Sequence, residues 1–116
     1  MNTRNVLPAR RLCETFEMQH GGQNSVFAVT IGYYNSQWFD RDGNEGVQRR
    51  IGEVFISGAK AGSEVDAVAR DGAVLLSIAL QYGVPLETIK HAITRNGDGT
   101  PSTIVGAVVD KLTHES

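Results

Sequence analysis

The sequence predicts an α+β domain: an antiparallel meander of three to four strands, followed by three helices packed on one face. Three observations carry this. Ahead of Gly58, apolar residues alternate with polar ones, the period of a half-buried strand. Beyond Gly58 they recur at spacings of three and four, the period of a helix with one apolar face. Turn-forming clusters separate the runs: Gly21-Gly22-Gln23-Asn24 and Asp42-Gly43-Asn44 in the first half, Asn96-Gly97-Asp98-Gly99 in the second.

Thr15 to His20 alternates, with Phe16 and Met18 on one side and Glu17 and Gln19 on the other. The strongest strand signal is Ser25 to Tyr34, where Phe27, Val29, Ile31 and Tyr33 share a face. Glu53 to Ser57, centred on Val54, Phe55 and Ile56, reads as a third strand. Short connections favour antiparallel pairing. The stretch from Asn35 to Arg50 stays open between a decorated hairpin and a mobile loop.

Ser63 is suited to cap the first helix, with Glu64 and Asp66 placing negative charge at its positive end. Val65, Val68, Ala69, Gly72, Leu76, Ala79 and Leu80 trace its face, and Val74, Leu75 and Ile78 widen it, so burial on most sides is expected. The small residues Ala69, Gly72 and Ala73 would let a neighbour approach closely. Gly83 ends this helix, and Pro85 opens a second that turns Leu86, Ile89 and Ile93 inward. Thr100 is expected to cap a third helix that Pro101 starts, lined by Ile104, Val105, Val108, Val109 and Leu112.

With 116 residues and 41% hydrophobic content, the chain suits one domain with its own core. Residues 1–12 read as a flexible lead-in and 13–116 as the domain. A net charge of −2, without a basic stripe, argues against binding nucleic acid through phosphates. A single cysteine, Cys13, allows no internal disulfide, which suits a reducing, cytoplasmic setting. The first residues lack the apolar block of a signal peptide, and no run approaches the length of a membrane span.

The most informative segment is the strand-to-helix junction Ile56-Ser57-Gly58-Ala59-Lys60-Ala61-Gly62-Ser63-Glu64. Gly58 and Gly62 allow unusual backbone angles, and a helix N-terminus offers free N–H groups, to which Lys60 and the Ser63 hydroxyl could add for an anion or nucleotide. The order is not that of a P-loop. A tight turn leading into a capped helix accounts for the same residues without a ligand. Arg70 and Asp71 lie nearby on the helix. Arg70 is placed to pair with Asp66, either lining a pocket or forming the wet edge of the helix. Tyr33, Tyr34, Trp38 and Phe39 could anchor a partner or fold back on the core. His91, with Glu87 and Arg95 each four residues away, reads as a solvated ion-pair row. With His20 and His114 elsewhere, no metal ligand set is indicated. Cys13 reads as a small apolar residue. No nucleophile–base pair or carboxylate pair stands out, so no catalytic residue and no cofactor is assigned.

Taken together, Glu53-Val54-Phe55-Ile56, then Gly58-Ala59-Lys60-Ala61-Gly62-Ser63-Glu64, then Ala79-Leu80-Gln81-Tyr82-Gly83-Val84-Pro85-Leu86-Glu87-Thr88-Ile89 resembles the TSCPD domain. That domain occurs near the C-terminus of adenosylcobalamin-dependent ribonucleotide reductases and in short stand-alone proteins. The resemblance runs from about Ala28 to Leu112. It implies an association with ribonucleotide reduction and deoxynucleotide supply. The chain departs from the family where the naming motif would place a cysteine, since Gly99-Thr100-Pro101-Ser102-Thr103 has none. The reductase barrel and the cysteine pair that carries electrons at such enzymes' C-terminus are also missing, and the 35–50 segment is longer than the family pattern. Three readings follow. One is a non-catalytic accessory domain whose partner is a ribonucleotide reductase. The second is a module binding a nucleotide or other anion at Gly58, Lys60, Gly62 and Ser63, with Arg70 and Asp71. The third is a self-associating protein whose sheet edges are covered by a second copy.

Overall fold

A computed structural model describes residues 3, 4, 7, 12–21, 25–39, 45–58 and 63–115, with only the backbone for 35–39, 45–49 and 115. Three strands come first: β1 (Cys13–Gln19), β2 (Val26–Phe39) and β3 (Glu45–Gly58). They form one antiparallel sheet in the order β1-β2-β3. Three helices follow, α1 (Glu64–Gln81), α2 (Leu86–Ala92) and α3 (Ile104–Glu115). The α+β class and the meander are as the alternation predicts, with three strands among the described residues. The open stretch after Asn35 is a hairpin: β2 and β3 stay paired out to Phe39 opposite Glu45. A bulge interrupts the register between Gly32 and Tyr33, where Gly52 is the extra residue on β3.

Alternation decides which side chains meet the helices. Phe27, Val29 and Ile31 of β2 and Val54 and Ile56 of β3 are buried, and Phe16 and Met18 pack against them from β1. Ala69, Ala73, Leu76 and Leu80 of α1 and Ile104, Val108, Val109 and Leu112 of α3 close this core. Side chains as deeply buried as Val29, Ile31 and Val54 each contribute about 1.5–3 kcal/mol relative to exposure. The other face of the sheet shows Thr15, Glu17, Ala28, Thr30 and Phe55, with Thr15 Oγ1 and Thr30 Oγ1 hydrogen-bonded at 3.0 Å.

Two expectations are corrected. First, α1 is not buried on most sides. Val65, Val68, Val74 and Leu75 are all more than half exposed, while Asp66, Ser77 and Gln81 are buried. The physical reason is that α1 packs over the outer edge of β3, and a strand edge presents peptide groups that need polar partners. Second, the third helix starts at Ile104, not at Pro101. Thr103 is the residue that caps it, its Oγ1 accepting from Gly106 N–H at 3.1 Å and its carbonyl from Ala107 N–H at 3.0 Å. Thr100 instead closes the preceding turn on Asp98, and Pro101 pairs with Arg95 in an isolated bridge.

The end of α1 is as expected. Gly83 takes a φ of 90°, and Gly83 N–H and Val84 N–H return to the Leu80 and Ala79 carbonyls, both at 3.0 Å. Gly72 faces α3, where an added Cβ would meet Val105 Cγ2 at 2.6 Å. That position therefore sets how closely the two helices cross. No described helix is long and apolar enough to cross a membrane.

Candidate functional site

A polar seam runs between α1 and β3. On an antiparallel strand, alternate residues point their N–H and C=O groups to the same side. Gly52, Val54 and Gly58 turn theirs away from β2 and toward α1. Ser77 Oγ accepts from Val54 N–H at 2.8 Å and donates to the Val54 carbonyl at 3.0 Å. Gln81 Nε2 donates to the Gly52 carbonyl at 3.0 Å, and its Oε1 accepts from Arg4 Nε at 2.6 Å. Asp66 Oδ1 accepts from Gly58 N–H at 2.6 Å, while Oδ2 accepts from Arg70 Nε at 3.0 Å. Polar residues at 66, 77 and 81 thus lie on one stripe of α1 and hold β3 in place. Every buried side-chain nitrogen and oxygen among the described residues has a hydrogen-bond partner.

This seam explains the junction. Ser63 Oγ accepts from Asp66 N–H at 3.1 Å, which places the Asp66 carboxylate beneath the strand end. Gly58 and Ser63 are therefore brought together through Asp66, and Asp66 is buried rather than part of a wet edge. Arg70 remains more than half exposed and lines a cavity of about 310 Å³ with Ala28, Thr30, Phe55, Ser57 and Val74. Asp71 is exposed. Lys60 and Gly62 lie outside the described residues. Of the aromatic set, Tyr34 is buried with the Arg50 guanidinium 4.6 Å from its ring centre, and Tyr33 is half-buried with its hydroxyl donating to Glu14 Oε2 at 3.2 Å. The side chains of Trp38 and Phe39 lie outside the described residues.

A second cavity, of about 420 Å³, opens where the start of α1 meets the start of α3. Glu64, Val65 and Val68 form one wall, Ser102, Thr103, Ile104 and Val105 another, and His20 stands at the rim. Sequence reading did not single out this cavity, because its walls come from segments about forty positions apart with ordinary composition.

The histidine row is only partly as expected. His91 Nε2 stands 3.5 Å from Glu87 Oε2, both exposed. Arg95 turns elsewhere: it donates to both Asp110 oxygens, at 2.6 and 3.0 Å, and to the Lys90 and Gly99 carbonyls. These bonds tie the end of α2 to α3. The Arg95 hydrogen bonds hold the Asp110 carboxyl below its ordinary value, and Thr100 does the same for Asp98. Among the described residues no group of three His, Cys, Asp or Glu side chains could hold a metal ion. Cys13 is exposed at the start of β1.

The model of one protein family, described as the TSCPD domain, matches residues 7–113. The chain is 47% identical over 45 residues to the vitamin B12-dependent ribonucleotide reductase of Agrobacterium fabrum, a stretch covering 39% of this chain and 4% of that protein. It is 52% identical over 40 residues to the protein of the same name from Rhodopirellula baltica, covering 34% of this chain and 4% of that one. The matched stretches thus span a small fraction of the curated relatives' length. No solved structure matches.

Proposed function

The chain belongs to the TSCPD domain family, and from that premise we propose that it is a non-catalytic accessory domain acting with a ribonucleotide reductase in deoxynucleotide supply. The observation that carries this reading is its single cysteine. Reducing a ribose consumes two electrons, which a dithiol delivers by closing to a disulfide. Cys13 has no second cysteine in these 116 residues to close with. The relatives' name carries a B12 cofactor. Cavities of about 310 and 420 Å³ suit ligands much smaller than a corrinoid, so the described residues do not fit that group by themselves. The domain's contribution is then a folded surface offered to the reductase. The test is an assay of the purified chain with a ribonucleotide, adenosylcobalamin and a dithiol. No turnover is expected, and turnover above background would end the accessory reading.

A second reading, an anion- or nucleotide-binding module beside the junction, is favoured by one feature of the larger cavity. In α1 the Asp66 and Ala67 N–H groups are taken by Ser63, and in α3 those of Gly106 and Ala107 by Thr103. The first two N–H groups of each helix belong to Glu64, Val65, Ile104 and Val105, and all four residues line that cavity. The first residues of two helices thus border one space, where the positive ends of their dipoles favour negative charge, with the Glu64 carboxylate on the same wall. Titration with inorganic phosphate and with a nucleoside triphosphate, on the native chain and on Lys60→Ala, tests it. Binding that weakens in a folded Lys60→Ala protein supports the module. Equal affinity removes Lys60 from it, and no binding by either protein removes the module.

A further inference from the structure

The two edges of the sheet are finished differently. Along β3, α1 supplies partners at Gly52, Val54 and Gly58. Along β1, even-numbered residues make the ladder to β2. The flanking bonds show this: Tyr33 N–H donates to the Leu12 carbonyl at 3.0 Å and His20 N–H to the Ser25 carbonyl at 3.1 Å, in register with Glu14 opposite Ile31 and Phe16 opposite Val29. The peptide groups of Thr15 and Glu17 therefore point away from the sheet, and both residues are exposed.

We propose that a second copy of this chain adds its β1 to this edge, antiparallel, about a two-fold axis through Phe16. Parity, charge and the length of strand paired together select the register. Outward peptide groups can pair only with outward ones, so odd-numbered residues must face odd-numbered residues. Centring the axis on Glu14 or Glu17 would set a carboxylate against its own copy, which is destabilising. Centring it on Phe16 pairs the whole of β1, with Thr15 opposite the second copy's Glu17 and Glu14 opposite the second copy's Met18. No carboxylate then faces another. The half-buried Phe16, in one row with Val29 and Ile56, meets its own copy and lengthens the core. Lys111 Nζ, 5.2 Å from the centre of the Phe16 ring, comes to share that face with the second copy's Glu14. Both the hydrogen-bond pattern and the charges fit a self-complementary, closed pairing. A seven-residue edge is small beside the ~1,200–2,000 Å² of a standard interface, so a weak, concentration-dependent dimer is expected.

Sedimentation from low to several hundred micromolar, combined with hydrogen exchange, tests the pairing. The weight-average mass rises toward twice the monomer's, and the Thr15 and Glu17 amides slow by at least about tenfold at the upper concentration, while Phe16 and Met18 stay protected throughout. Glu17→Pro removes an outward N–H without touching the ladder to β2, and this variant stays monomeric with an unchanged circular dichroism spectrum. If Glu17→Pro does not fold, the exchange pattern of the native chain carries the test. A monomer at every concentration overturns the pairing, as does a dimer whose Thr15 and Glu17 amides exchange as fast as in the monomer.

Discussion

Ser77→Ala probes the seam between α1 and β3 most directly. The hydroxyl serves both outward groups of Val54, accepting at 2.8 Å and donating at 3.0 Å, in a place where Val54 is fully buried and Ser77 is 8% exposed. Alanine keeps the packing and removes the partner. A buried peptide group left unsatisfied costs about 1–3 kcal/mol, and alanine's better helix propensity returns up to about 0.5 kcal/mol. The net loss expected is about 2 kcal/mol, a fall in Tm on the order of 8 °C for a domain of this size. Urea unfolding should show a lower midpoint at an unchanged m-value. Leu75→Ala, at a position 68% exposed, is the matched control and should stay within about 0.5 kcal/mol of the native chain. If Ser77→Ala is as mild as Leu75→Ala, α1 does not hold β3 by these bonds and the reasoning about the seam fails.

Two further expectations concern the α3 contacts. Gly72→Ala would bring a Cβ to 2.6 Å from Val105 Cγ2, and overpacking of about 1–3 kcal/mol should outweigh the helix-propensity gain of up to about 1 kcal/mol. A net loss near 1 kcal/mol by urea titration is expected, whereas a more stable variant would show that Val105 yields freely. Asp110 is held below its ordinary value first by its hydrogen bonds to Arg95, with charge from Arg95, Lys90 and His114 adding to the effect. Its contribution is therefore complete above the unfolded carboxyl pKa of about 4 and is lost as pH falls through the lower folded value. Thermal unfolding at a series of pH values should show Asp110→Asn less stable than the native chain at pH 7, with the gap closing in acid. A gap that persists unchanged below pH 3 would contradict the assignment.

Much of the fold was legible because hydrophobic period and turn chemistry agree. The Phe27-Val29-Ile31 alternation, the Ser63 cap and the Gly83 stop all stand in the structure. The inward face of α1 was misread because apolar count favoured Val65, Val68, Val74 and Leu75. The deciding demand is the β3 edge, which selects Asp66, Ser77 and Gln81, and no periodicity in α1 records a strand edge elsewhere in the chain. The start of α3 was misplaced for a similar reason. Thr100 and Thr103 are both good caps, and the Arg95–Pro101 bridge, a pairing across the turn, decides between them. Arg95 itself read as part of an ion-pair row with His91, but its partner, Asp110, is fifteen residues away. At the candidate site, the residue types at the junction were visible, while Asp66 as the link between Gly58 and Ser63 required the three-dimensional meeting of strand end and helix start.

The central claim is that this TSCPD domain serves a ribonucleotide reductase without performing the chemistry. The most direct measurement is binding of the purified chain to a purified B12-dependent ribonucleotide reductase, by sedimentation with and without nucleotides. The account predicts a specific complex that survives moderate salt and leaves the reductase active. Absence of any complex under every nucleotide condition would contradict it.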